Sequence, residues 1–302
     1  MLRSLLSKEM NNSHHVEQSL NFYAAFLQFS INIVGILNNF LLLYAHAKDP
    51  YKILKRCHFI INVGVVDFIG SLLLFLYTTL VLGRVFNLED EQLISRISNR
   101  VASLFFAASL MSFLSLAIER FLSVVYPLWH KVHVSNKVCR YWLTGMWLFV
   151  FSTELLRLLK ESIEFVFIQL GLYFVGYCTT NMLYFATYIS IVKQRKALEK
   201  SSESSRINKR AMQIRLRNEK SFLSTVAIVC AFFTVIYSPT IVLLVLLFLK
   251  KNRLSYIAQN IITRYFPWVF VMVSLNFAIY VPIYVWRLPK YRKTFKKLYF
   301  RS

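Results

Sequence analysis

Seven stretches of about 20 apolar residues recur along this chain, and they limit its fold more than any other feature, because about 20 such residues carry a helix across roughly 30 Å of hydrocarbon. They lie at Phe22 to Tyr44, Phe59 to Leu82, Val101 to Tyr126, Tyr141 to Leu159, Phe165 to Ile191, Phe222 to Leu249 and Ile261 to Val285. In lipid a segment must satisfy its own backbone polar groups, so the expected fold is all-α: a seven-transmembrane helix bundle with a short amphipathic eighth helix. The chain accordingly divides into a tail over 1–21, a seven-span domain over 22–285 and an amphipathic helix with its tail over 286–302. Lys8, Glu9, His14, His15 and Glu17 interrupt any signal-peptide core, so the first span is expected to act as its own insertion signal.

Charge sets the orientation. The 36 Lys and Arg outnumber 14 Asp and Glu, a formal +22, in a chain only 17% charged. A basic soluble protein points to nucleic acid, but these charges sit between apolar spans and point to membrane lipids as the partner. With the N-terminus outside, the inner segments Lys48 to Arg56, Arg120 to Arg140, Lys193 to Lys220 and Arg287 to Arg301 carry four, four, ten and seven basic residues. That is the bias that holds such segments in the cytoplasm. Asn11-Asn12-Ser13 then places a glycosylation acceptor at Asn11 on the outer side. Cys57 and Cys139 fall at the inner margin and Cys178 and Cys230 within spans, so no outer loop carries a disulfide. His130 and His133 have no further ligand at zinc-like spacing and read as a solvated pair. With no phosphate loop, nucleophile elbow or zincin motif, the chain reads as a non-enzyme.

Polar residues inside the spans carry the functional signal. An ionised carboxylate at mid-membrane costs about 2.5–3.5 kcal/mol on insertion scales, so Asp67, deep in the second span, must face the bundle interior. Asn39, Ser109 and Asn276 recur at similar depth. Ser109 and Arg120 share a face of the third span about 16 Å apart, and that helix should end at Pro127. In the sixth, Glu219, Phe233 and Tyr237 share a face beside Pro239; in the seventh, Asn276, Tyr280 and Tyr284 recur every four residues beside Pro282. Proline inside a span frees a carbonyl and makes a hinge. After Arg287, Leu288, Tyr291, Phe295, Leu298 and Tyr299 form an apolar stripe between Lys and Arg, as in a helix lying on the inner membrane surface.

This ordered set resembles the rhodopsin-like G-protein-coupled receptors from about residue 22 onward. Gly35-Ile36-Leu37-Asn38-Asn39 is similar to the first-span signature, with Asp67 at the matching distance; Glu119-Arg120-Phe121 resembles the Asp/Glu-Arg-Tyr triplet, with Trp147 placed as in the fourth span. Phe233 to Pro239 resembles Phe-x-x-Cys-Trp-x-Pro with Tyr237 for Trp, and Tyr280 to Tyr284 resembles Asn-Pro-x-x-Tyr with Tyr280 for Asn and the proline one residue late at Pro282. The usual third-span cysteine and fifth-span proline are missing, although Tyr188 fits the lower fifth-span tyrosine. Similar absences mark the melanocortin, lysophospholipid and cannabinoid receptors.

The resemblance implies a plasma-membrane receptor, N-terminus outside and C-terminus inside, for a heterotrimeric G protein. It implies a structural sodium ion at Asp67, Ser109 and Asn276 and no other cofactor. It makes Glu119, Arg120, Glu219, Tyr188 and Tyr284 the switch, with Phe233, Tyr237, Pro239 and Pro282 at the hinge and pocket floor. Ala102 stands where amine receptors carry Asp, and the seventh span has Ser274 near the retinal-lysine place. The ligand-pocket candidates Ala102, Phe105, Phe106, Phe174, Phe266 and Trp268 are apolar and suit a lipid-like or hydrophobic molecule, whereas Glu89, Asp90 and Glu91 would meet a basic peptide. Glu154 is expected to pair with Arg157 one turn away. The competing reading is a transporter or channel with Asp67 in the ion pathway.

Overall fold

The computed structural model describes residues 2–48, 58–83, 88–159, 163–200, 256–287 and 289–299, with isolated helical positions between 212 and 235. Among the described residues the chain is helical and contains no strand. The helices are α1 (Leu2–Lys48), α2 (His58–Leu82), α3 (Leu88–Val125), α4 (Pro127–His133), α5 (Asn136–Leu159), α6 (Ile163–Lys200), α7 (Tyr256–Arg287) and α8 (Pro289–Tyr299).

Four described segments are long and apolar enough to cross a membrane: Phe22–Lys48, His58–Leu82, Arg96–Val125 and Asn136–Leu159. The molecule is thus an all-α protein with membrane-embedded character. Pro267–Ile283 in α7 is a shorter apolar stretch. The sixth expected span falls almost wholly outside the described residues.

Two boundaries have simple local causes. The chain from Leu2 to Val34 contains neither glycine nor proline, and α1 runs unbroken from Leu2 through the stretch read above as a tail, taking Asn11 into the helix. At the other end of the alphabet of helix signals, α3 stops at Val125 and Pro127 occupies the first turn of α4, where a missing N–H costs nothing. Hydroxyls within the helices turn back on their own backbone: Thr78 donates to the Leu74 carbonyl at 3.0 Å, Ser112 to Ala108 at 2.6 Å and Thr187 to Leu183 at 2.7 Å. Each needs no water to be satisfied.

The described chain forms two compact units, each containing parts of α1, α2, α3 and α7. The first comprises Met1–Leu37, Asp67–Ala102 and Phe233–Ile279. In it Phe29 stacks on Phe75 at 5.0 Å, while a Cβ on Gly35 would collide with Ser71 Oγ and lie 3.7 Å from the Ala278 Cα. A Cβ on Gly70 would meet the Phe277 ring at 2.8 Å, and Tyr77 lies 6.0 Å from Phe270. These registers make α2 antiparallel to both α1 and α7, with glycine admitting each close approach.

The second unit comprises Asn38–Val66, Ser103–Phe232 and Tyr280–Ser302. A Cβ on Gly64 would meet Leu42 at 2.9 Å, and Tyr280 packs edge-on against Phe113 at 4.5 Å. The buried positions of α5, Cys139, Met146, Val150 and Glu154, fall on one stripe, while Leu148, Phe149, Phe151 and Leu155 are exposed, as suits a helix with one face to lipid. In α8, Thr294 and Phe295 are buried while Arg292, Lys293, Lys296 and Lys297 are exposed. Tyr299 ties α8 to α1 by donating to the Leu41 carbonyl at 2.8 Å. Burial first, then Tyr44, pushes that phenol above its usual range, which keeps it protonated as a donor.

Gly35→Ala is expected to destabilise by about 1–3 kcal/mol, since the new methyl overlaps Ser71, and adding Ser71→Gly should restore most of the loss. Thermal midpoints in detergent check this; an unchanged midpoint in the single variant means that α1 and α2 are not packed this closely.

Candidate functional site

Two polar clusters stand out in the second unit. The first lies where α3 gives way to α4. Glu119 and Arg120 occupy the last turns of α3, and the break at Tyr126 and Pro127 turns the chain so that His130 on α4 meets Glu119. Arg120 Nε lies 2.8 Å from Glu119 Oε2, and His130 Nε2 lies 3.2 Å from Glu119 Oε1. One carboxylate thus receives a permanent cation on one oxygen and, on the other, a ring that is charged only when protonated. The side chains of Glu119 and Arg120 are 15% and 22% exposed, so the pair is partly shielded from solvent.

Beside this pair is a small cleft of about 80 Å³ whose walls include Phe59, Ile118, Leu122, Trp129, Cys139 and Trp142. Trp129 stacks on His133 at 4.7 Å, and His133 Nδ1 lies 3.0 Å from the Trp129 carbonyl. The two histidines read as a solvated pair therefore part company, one to Glu119 and one to Trp129. The α4 turn is what separates them.

The second cluster gathers around Glu154. Its Oε1 accepts from Ser103 Oγ at 2.8 Å, from Gln169 Nε2 at 2.5 Å and from the Tyr173 hydroxyl at 3.3 Å, while Oε2 lies 3.6 Å from Arg157. Arg157 also donates to Ser103 Oγ at 2.6 Å. The expected Glu154–Arg157 pair is present, with three further partners from α3 and α6. Charge inside an apolar bundle is tolerable on these terms: opposite sign nearby and the remaining lone pairs filled. Gln169 and Tyr173 stand four residues apart, a spacing that places two polar groups on one helix face.

A third set of bonds fixes how α2, α3 and α5 meet. Asn62 donates to Ser112 Oγ at 2.6 Å and accepts from Trp147 Nε1 at 3.1 Å; one turn away Trp142 Nε1 donates to Ser115 Oγ at 2.9 Å. Trp147 also meets Phe105 edge-on at 6.5 Å. Sequence analysis singled out Trp147 but missed Asn62, which has no local signal beyond being polar within an apolar run. Gln194 joins α6 to α3 by donating to the Val124 carbonyl at 2.9 Å.

The remaining candidates fall as follows. Asp67 and Asn276 are fully buried in the first unit, and Asn39 and Ser109 are fully buried in the second. Ala102 and Phe105 are buried, Phe106 meets Tyr173 edge-on at 5.6 Å, and Trp268 is half-buried. Phe174 is 56% exposed and Tyr188 43%, so both present their rings outward. Pro282 is exposed within an unbroken α7. Glu219, Phe233, Tyr237 and Pro239 lie outside the described residues, as do the side chains of Phe266, Tyr284, Glu89, Asp90 and Glu91.

Glu154→Ala should destabilise by about 1–3 kcal/mol, by leaving Ser103, Gln169 and Tyr173 without their acceptor and the partly exposed Arg157 without its counter-charge, and Glu154→Gln, which keeps an acceptor, by less. The order of thermal midpoints checks this; an alanine variant as stable as wild type shows that the cluster holds nothing together. Compared with protein-family models and with curated protein sequences, the chain matches none.

Proposed function

We propose that the chain is a rhodopsin-like G-protein-coupled receptor with seven spans, N-terminus outside, in the plasma membrane. The supporting observation is the arrangement around Arg120. A cation in the last turns of an apolar helix is paired with the adjacent Glu119, and the next helix adds His130 to the same carboxylate. A residue held this way is a stored contact, available to a partner once its holder lets go.

In this reading an extracellular or membrane-derived ligand binds the outer half of the bundle. A lipid-like or hydrophobic molecule is favoured because Ala102, Phe105 and Phe106 bring no charge to the pocket; a basic peptide comes next. Binding opens the inner ends of the third and sixth spans, Arg120 leaves Glu119 and Glu219, and the G protein occupies the groove. By the resemblance, Asp67 takes sodium and couples ligand to switch; being fully buried, this carboxylate needs a cation or a proton. The basic segment Lys193 to Lys220 meets anionic lipid and the G protein.

Glu219→Ala should raise ligand-independent nucleotide exchange on a G protein by up to about fivefold, the equivalent of losing a partly shielded ion pair of about 1 kcal/mol. Asp67→Asn should abolish any sodium dependence of that exchange. A basal rate unchanged in the first variant removes the lock, and ion flux through liposomes carrying the wild-type chain without any exchange activity favours a channel or transporter.

A further inference from the structure

The first unit contains buried polar atoms that the receptor reading does not use. Gln28 Nε2, Asn32 Nδ2 and Oδ1, Ser71 Oγ and Ser274 Oγ make no hydrogen bond among the described residues. Gln28 is 4% exposed and the other three residues 0%. A buried amide or hydroxyl with no partner is strongly disfavoured, more so in a bundle that lipid seals from bulk water.

The helix registers bring these groups to one seam. Ser71 lies against Gly35, and Gly35 lies against Ala278. Asn32 is one turn before Gly35 on α1, and Ser274 is one turn before Ala278 on α7, which runs parallel to α1; both therefore lie on the same side of that contact. Phe29 and Phe75 stack across the next level of α1 and α2, and Gln28 shares the face of Asn32 one turn further on.

We propose that this seam of α1, α2 and α7 is a binding site for an uncharged hydrogen-bonding group, either water or the hydroxyl or amide of a bound molecule, held by Asn32, Ser71 and Ser274 with Gln28 at its edge. The chemistry of the stranded atoms selects the class. Two amide NH2 groups need an acceptor, which a metal cation is not. Asn32 Oδ1 needs a donor, which an unprotonated anion is not. A group that both donates and accepts suits each of them, and a water at such a place typically makes about three bonds, enough for Asn32, Ser71 and Ser274. The site is independent of the receptor reading and holds for any membrane-embedded function of the chain.

The test uses the full chain in nanodiscs of phosphatidylcholine alone. A map that resolves ordered water should show density within hydrogen-bond distance of Asn32 and of Ser71 or Ser274. Mass spectrometry of the extracted, washed sample separates the two sources: a stoichiometric organic molecule identifies a ligand group, and density without one identifies water; both uphold the site. Asn32→Leu, with the same number of side-chain heavy atoms but more bulk, gives an independent sign when it agrees with Ser274→Ala, which adds no bulk. If the site is occupied, the leucine strips the occupant of two bonds and the thermal midpoint falls by about 2–4 °C or more; if it is empty, the leucine relieves two stranded atoms and the midpoint rises. Ser274→Ala should shift the midpoint in the same direction as Asn32→Leu and serves if the latter does not fold. Absence of density, or a rise in midpoint, overturns the proposal.

Discussion

The hydrocarbon interior of a bilayer offers no hydrogen-bond partner, and this molecule is organised around that lack. Its backbone answers with helices, and many of its serines and threonines answer by bonding to the carbonyl a turn behind. Asn181 does the same, donating to the Tyr177 carbonyl at 2.9 Å, but Glu154 and Asn62 find partners across helices. Glu154 with Ser103, Gln169 and Arg157, and Asn62 with Ser112 and Trp147, are two such meetings within the second unit. Since association of helices in lipid has little hydrophobic drive, such bonds and the glycine contacts decide which faces meet. An interhelical hydrogen bond in a membrane is worth about 0.6–1.7 kcal/mol, so no single one holds the fold, but each one excludes registers that would strand its members.

What could be read from the chain divides along the same line. Helical spans are a matter of apolar length, and Phe22 to Lys48, His58 to Leu82, Arg96 to Val125 and Asn136 to Leu159 lie close to where the apolar runs put them. The end of α3 was readable because Pro127 cannot continue a helix as it can begin one. The helix over the first twenty residues was not: its many polar residues look like a tail, while the absence of any glycine or proline up to Val34, which permits the helix, is an easily overlooked signal. The pairing of Glu154 with Arg157 was readable because a helix places such neighbours together. Its bonds to Ser103 and Gln169 were not, since they depend on which faces of three helices meet.

The same distinction applies to the cluster where α3 meets α4. Glu119 next to Arg120 is written in the sequence; His130 is brought in only by the turn at Tyr126 and Pro127, and a histidine ten residues further on carries no mark of its destination. What the arrangement adds to the sequence pattern is a reason for the arginine to stay: a carboxylate already in place, reinforced from the following helix.

In the function proposed for this chain, Arg120 is a stored contact for a G protein. The direct measurement is guanine-nucleotide exchange on purified heterotrimeric G proteins mixed with the chain in nanodiscs, comparing wild type with Arg120→Ala at matched folded amounts. Wild type should accelerate exchange above the rate of the G protein alone and the alanine variant should return it to that rate. Acceleration that survives the loss of Arg120, or none with either chain across all G-protein classes and candidate ligands, contradicts it.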